Sequence, residues 1–303
     1  MSHALIIGAS GFIGRRLLQE GDRALVRVGA ALPGAVHGDL LDTASLVAAC
    51  KGIETVFHCA GYAHAFSSSD PDAHLRINFE GTRNLLQAAG EAGVKRFVFL
   101  SSVKAMAEPG DECVDEDWPG EPDTPYGKAK RAAEDAVLEA GVRYDMHVVN
   151  LRLAMVYGRG GRGNLERMAR AIQAGWFPPL PETGNRRSLV HVQDVVEVMR
   201  LVAARPEANG RTYIIADARA YSGREIQDAI RAVLRKPTLH WSVPAGVLRA
   251  AGQMNGRFGE VVGRLIGSAC YSPARIEREL GWRARVGLEA GLREMLAGKA
   301  AEL

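Results

Sequence analysis

Seven residues near the N-terminus, Gly8-Ala9-Ser10-Gly11-Phe12-Ile13-Gly14, constrain this chain more than any other stretch. They follow the apolar run Ala4–Ile7 and lead straight into an amphipathic segment, Ile13–Gln19. Glycines at this spacing let the chain turn tightly and bring bare backbone against a bound group. A helix that starts at once offers free N–H groups and partial positive charge, which suits phosphate. The spacing is G-x-x-G-x-x-G, and its strand-to-helix context makes it a dinucleotide-binding turn rather than an ordinary βα turn with spare glycines. Gly8, Gly11, Phe12, Ile13 and Gly14 are therefore candidate cofactor contacts.

Further along, short continuous apolar runs alternate with amphipathic segments. The expected strands are Ala4–Ile7, Ala24–Val28, Thr55–Cys59, Arg96–Leu100 and His147–Leu153. Continuous rather than alternating apolar runs point to strands covered on both faces, as in a parallel sheet. Helical patterns fall at Ile13–Gln19, Ala44–Ala49, Asp72–Ala92 and Pro125–Ala140. This rhythm predicts an α/β fold with a doubly wound sheet. The second half is less regular. It reads as helices Asn164–Ala174 and Val192–Ala204, strand Thr212–Ile215, helix Ser222–Arg235, a short strand Leu239–Ser242 before a helix from Pro244, and helices Pro273–Leu280 and Leu288–Leu296.

Of the 303 residues 47% are hydrophobic and 24% charged, enough apolar material for a sizeable core. The net charge of +3 is too even for a protein built around a nucleic-acid backbone, so no nucleic-acid partner is expected. No run of about 18 apolar residues suggests a membrane span, and no signal-peptide pattern precedes the first strand. Cys50, Cys59, Cys113 and Cys270 are widely spaced and form no C-x-x-C. From this we expect no disulfide framework and a reducing, cytoplasmic location.

Two features carry the chemistry. The end of the second strand sets cofactor choice: a carboxylate there suits a free ribose 2′-hydroxyl, an arginine a 2′-phosphate. Here stands Arg27, with Arg15 and Arg16 close to the glycine turn, which favours NADP over NAD; ordinary surface arginines are the competing reading. The second feature is Tyr126-Gly127-Lys128-Ala129-Lys130, at the start of a helix that Thr124 caps and Pro125 opens. Tyr126 and Lys130 share one face, and a nearby ammonium lowers a phenol's pKa so that it exchanges protons near neutral pH. Ser102 ends the fourth expected strand, where a hydroxyl can polarise a substrate carbonyl in the crevice of an open sheet.

At these residues the chain resembles the extended short-chain dehydrogenase/reductase family, in its nucleotide-sugar epimerase, dehydratase and reductase branch. The resemblance spans nearly the whole length. It includes Gly38-Asp39-Leu40, Phe57-His58-Cys59-Ala60-Gly61, Asn78-Phe79-Glu80-Gly81-Thr82, Leu151-Arg152 through Tyr157-Gly158, the stretch from Arg187 to Asp194, and Glu279-Leu280-Gly281-Trp282. It implies a Rossmann-type sheet with a smaller, discontinuous C-terminal α/β substrate domain. The expected boundaries are 1–163 with about 189–217 for the dinucleotide domain, and about 164–188 with 218–303 for the substrate domain.

The same resemblance implies roles. Tyr126 would be the catalytic acid/base, Lys130 its tuner and nicotinamide-ribose contact, and Ser102 the carbonyl partner. Asp39 and Leu40 would lie at the adenine, Ala60 and Gly61 along the cofactor. Asn164, Arg187 and Arg264 would hold the diphosphate of a substrate such as a UDP- or dTDP-sugar. A homodimer through helices Asp72–Ala92 and Pro125–Ala140 is also implied. The implied activity is hydride transfer at C4 of the sugar, by a 4-ketoreductase or a 4-epimerase of surface-polysaccharide synthesis. Arg27 and the segment Val103–Glu108 depart from the epimerase pattern, and Arg27 favours a reductase that releases its cofactor.

Two other readings stand beside this one: reduction of a non-nucleotide ketone with NADP, and a non-catalytic dinucleotide sensor. The eight histidines show no metal spacing. His58 reads as a core histidine, His191 as a residue that positions a turn, and His64 as a loop residue that faces either solvent or substrate. The acidic run Asp111–Glu121 reads as a solvated loop or lid.

Overall fold

The computed structural model describes residues 4–27, 32–62, 72–161, 163–252, 263 and 266–297. Seven parallel strands form the main sheet: β1 (Ala4–Ile7), β2 (Arg23–Val26), β3 (Ala35–His37), β4 (Thr55–His58), β5 (Arg96–Ser102), β7 (His147–Leu153) and β10 (Arg211–Ile215). Their spatial order is β10-β7-β5-β4-β1-β2-β3. The order reverses between β1 and β4, so a crevice opens beyond the carboxyl ends of those two strands.

Both faces of the sheet are covered. One face packs Ile6, Val98, Val149 and Leu151 against Leu17 of α1 (Gly14–Leu17) and Val195 to Val202 of α6 (Val192–Ala204). The other packs Leu5, Val56, Phe97 and Phe99 against α2 (Thr43–Cys50), α3 (Gly81–Glu91) and α4 (Pro125–Tyr144). Continuous apolar strands are thus buried from both sides, as their composition required.

A third core gathers Tyr157, Leu165, Leu189, Tyr221, Ile226 and Leu292. It joins α5 (Asn164–Gln173), α7 (Gly223–Val233) and the last helix, Leu288–Leu296, around the small parallel pair β8 (Met155–Tyr157) and β9 (Leu189–His191). Between α7 and that last helix come α8 (Ala245–Gly252) and helix Ala274–Leu280.

Several elements differ from the sequence reading. The first helix is only Gly14–Leu17, because Leu18 is already extended. Residues Leu75–Glu80 wind as a wide π-helical turn before α3. Leu239–Ser242 forms no strand; Pro237 and Pro244 bracket it and the Leu239 carbonyl accepts from Arg224. The strand β3 and the pairs β8–β9 and β6 (Cys113–Val114) with β11 (Cys270–Tyr271) were not expected.

The last pair corrects the cysteine reading. Register opposite Cys113 places Cys270, with Cα atoms 4.5 Å apart, and the two form a disulfide. Parallel strand pairing brings together thiols separated by 157 residues, which spacing along the chain cannot reveal. Cys50 and Cys59 are free, and burial pushes both thiols up to about 12. Among the described residues, no helix is long and apolar enough to cross a membrane.

Candidate active site

The glycine turn is a cradle that side chains would fill. Gly8 has φ +81°, and a Cβ there would stand 2.8 Å from the Ala60 nitrogen across the switch point. A Cβ on Gly14 would overlap the Gly8 carbonyl. The bare backbone of Gly8, Gly11 and Gly14, the start of α1 and the adjacent Ala60-Gly61 together fit the pyrophosphate of a dinucleotide. Phe12 and Ile13 are half-buried in the same turn. Arg15 and Arg16 are turned elsewhere: both lie over the Phe12 ring, and they donate to the carbonyls of Gly160 and Arg159.

The far end of the crevice is built where β2 and β3 finish. Gly38 N donates to Val26 O at 3.0 Å, so Asp39 and Leu40 come beside Arg27, which is exposed one residue beyond β2. The Asp39 carboxylate accepts from Leu41 N. Leu40 packs against Gly81 at the start of α3.

Near Gly61, the side chain of Lys130 is buried. Its ammonium donates to Leu100 O at 2.8 Å and lies 4.5 Å from the centre of the Phe99 ring. A Cβ on Gly61 would be 3.4 Å from the Lys130 nitrogen, so the amine lines the floor next to Ala60-Gly61. Burial lowers its pKa to about 8, against the pull of Glu134 and Cys59. Glu134, one turn further along α4, is locked in a bidentate pair with Arg152 of β7, at 3.0 and 2.7 Å.

Tyr126 comes beside Ser102 at the end of β5, close enough for the serine hydroxyl to favour its phenolate. Burial pushes the phenol up, and the Ser102 hydroxyl pulls it the other way. The Lys130 ammonium on the same helix is turned to Leu100 O. Ser102 also accepts from Lys104 N and so caps the short helical turn that follows β5.

Three residues that sequence reasoning gave no role complete this corner. Asn78 is 2% exposed and grips Tyr62, accepting from its N–H at 2.7 Å and donating to its carbonyl at 3.0 Å. It thereby fixes the turn after Ala60-Gly61. His74 also donates to the Tyr62 carbonyl, and its ring meets Tyr126 edge-on at 5.6 Å. The signal was available: His74 and Asn78 stand four apart in a helical pattern, two polar side chains on one inward face.

Arg187 is half-buried and bridges to Tyr221 and Ala269. It donates to Gly267 O at 2.8 Å, and Asn185 donates to the same carbonyl at 3.1 Å. Arg187 and Glu108 both act on the buried phenol of Tyr271, which packs behind Ser102 with Val103 and Met106. Asn164 is exposed at the first position of α5. Arg264 and His64 lie outside the described residues. His58 is a core residue: burial lowers it to about 3, and its Nε2 is 2.9 Å from Thr82 Oγ1. His191 caps α6 through Gln193 N, as its reading as a turn-positioning residue required.

A doubly wound sheet with a glycine cradle at the switch point, and a tyrosine–serine pair beside a buried lysine, defines a dinucleotide-dependent oxidoreductase class. Residues 4–216 match the NAD dependent epimerase/dehydratase family, and the chain belongs to that family. It is 28% identical to UDP-glucose 4-epimerase of Vibrio cholerae, over 96% of this chain and 93% of the relative. It is 28% identical to N-acetyl-alpha-D-glucosaminyl-diphospho-ditrans,octacis-undecaprenol 4-epimerase of Escherichia coli O157:H7, over 81% and 77%. Among solved structures, MoeE5 in complex with UDP-glucuronic acid and NAD superposes with a TM-score of 0.79 at 28% identity, each chain fully covered. The chain is thus an NAD-dependent enzyme of the nucleotide-sugar epimerase and dehydratase type.

Proposed function

We propose that this enzyme transfers hydride at C4 of a sugar carried on a diphosphate, with a UDP- or dTDP-sugar as substrate. The observation that carries the reading is the placement of Tyr126 beside Ser102 and the buried Lys130, at the carboxyl end of β5. Bound nicotinamide supplies or accepts the hydride. Ser102 directs its hydroxyl at the oxygen on the reacting carbon, and Tyr126 exchanges the proton at its phenolic oxygen. Lys130 brings positive charge against the cofactor ribose beside Gly61 and, once drawn off Leu100 O, steadies the phenolate. Arg187 supplies charge for the diphosphate, with Asn164 and Arg264 as further contacts. The two relatives from Vibrio cholerae and Escherichia coli O157:H7 are named for action at position 4 of a sugar joined to a diphosphate, which supports the choice of carbon.

Arg27, exposed at the tip of β2, favours acceptance of a 2′-phosphate and hence use of NADP beside NAD. The experiment is to denature the purified protein, identify any released nucleotide, and then assay UDP-glucose, UDP-galactose and 4-keto sugars with each cofactor. Retained NAD with interconversion of the two UDP-sugars identifies a 4-epimerase. An empty protein that consumes NADPH only with a 4-keto sugar identifies a reductase. Turnover of a simple ketone, with no stabilisation by UDP or dTDP, refutes the reading.

A further inference from the structure

Two segments that contribute no residue to the catalytic corner are joined by hydrogen bonds. Residues 167–181 and 229–252 hold no Asp or Glu, and the described side chains among them include Arg167, Arg170, Arg231, Arg235 and Lys236. The fold pairs the two: Val243 N donates to Pro179 O at 2.9 Å, and Arg224 donates from behind to both Leu180 O and Leu239 O. Each segment presents a tryptophan to solvent. Trp176 is 73% exposed and Trp241 is 64% exposed, and Val247 of α8 follows at 57%. Arg167, Arg170 and Arg235 are exposed on the same segments.

The flanking carboxylates offset only part of this charge. Glu182 is held by Ser222 Oγ and Gly184 N, Asp228 is paired with Arg224, and Glu166 is buried. Solvent-facing indoles on a predominantly basic surface, with Glu225 and Glu289 at its rim paired to Arg219 and Arg293, fit one environment: the headgroup level of a bilayer, where the ring lies among lipid carbonyls and the cations meet anionic phosphates. We propose that this face binds the surface of an anionic membrane, with Trp176 and Trp241 as the inserted side chains. The binding is peripheral, and it requires neither substrate nor cofactor.

The test uses the full chain with extruded vesicles of phosphatidylcholine alone, and of phosphatidylcholine with phosphatidylglycerol in equal parts. We expect co-sedimentation with the mixed vesicles only, weakened by salt, with a blue-shifted tryptophan emission that brominated lipid quenches. Trp176→Ala with Trp241→Ala lowers the partition coefficient about tenfold or more, as does Arg167→Gln with Lys236→Gln, since each cation near such a surface contributes about fivefold. No binding to mixed vesicles overturns the proposal, as does equal binding by the double alanine variant. Binding without lipid quenching in the wild type overturns it without recourse to a variant. A dimer that the double alanine change converts to monomer overturns it too, because the face is then covered by a second copy.

Discussion

The ammonium of Lys130 donates to the carbonyl of Leu100, two residues before Ser102, and so hangs from the strand that carries the Tyr126 partner. The amine, the serine and the phenol are thereby indexed to one strand end. With Lys130 lowered to about 8, the charge is lost over a range where a free lysine keeps it. We expect turnover to fall above about pH 8, and Lys130→Met to be slow at every pH. A flat rate profile from pH 7 to pH 10 in the wild type excludes a role for that charge.

Tyr126→Phe should keep its fold and its cofactor, because the ring still meets His74 and only the hydroxyl is gone. Turnover should fall about 10²- to 10⁴-fold, the usual share of a positioned proton donor. Stopped-flow absorbance with titrated cofactor separates the two effects. Unchanged turnover removes Tyr126 from the mechanism.

At Gly8 the backbone is left-handed and a Cβ would press on Ala60. Gly8→Val should therefore abolish dinucleotide binding and lower stability by about 1–3 kcal/mol or more. Equilibrium dialysis with NAD and NADPH reads the first effect, and urea unfolding reads the second.

Asp217 lies 6% exposed beside Asp194, whose carboxylate accepts from Arg285 N and Val286 N. Burial first, then Asp194, pushes Asp217 up to about 8, against the pull of Tyr221. A carboxyl raised in the folded state favours folding while it stays protonated. Its contribution is complete below the unfolded value near 4 and is lost as pH rises toward 8. Stability should fall between pH 4 and 8 by on the order of a few kcal/mol from this group. Asp217→Asn should remove that slope, as chemical denaturation at fixed pH values will record.

Reduction of the Cys113–Cys270 bond opens a loop of 157 residues of separation. Dithiothreitol, or Cys113→Ser, should lower unfolding stability by about 3 kcal/mol. Thermal scans with and without reductant give the measurement, and a coincident pair of curves refutes the contribution.

The sequence exposed what depends on local pattern. The glycine turn, the capped start of α4 at Thr124-Pro125 and the Tyr126–Lys130 spacing all sit where their periodicity put them. What stayed hidden depends on long-range pairing. Strands of two or three residues, such as Cys113–Val114 and Leu189–His191, are too short for any periodicity and exist only because partners arrive from far along the chain. The roles of Arg15 and Arg16 were hidden for the same reason, since the carbonyls they meet are more than a hundred residues away. Asn78 was visible as part of a motif, yet its grip on Tyr62 needed coordinates.

One edge strand of the sheet, β10, pairs only with β7, and residues 154–210 intervene in the chain between them. During synthesis the other six strands emerge by residue 153, and the crevice between β1 and β4 has its walls before this edge is covered. The nascent chain therefore waits with one side of β7 unpaired until residue 215 leaves the ribosome. That bare edge is the point where a chaperone, or a neighbouring unfinished copy, would compete with β10 for the same hydrogen bonds.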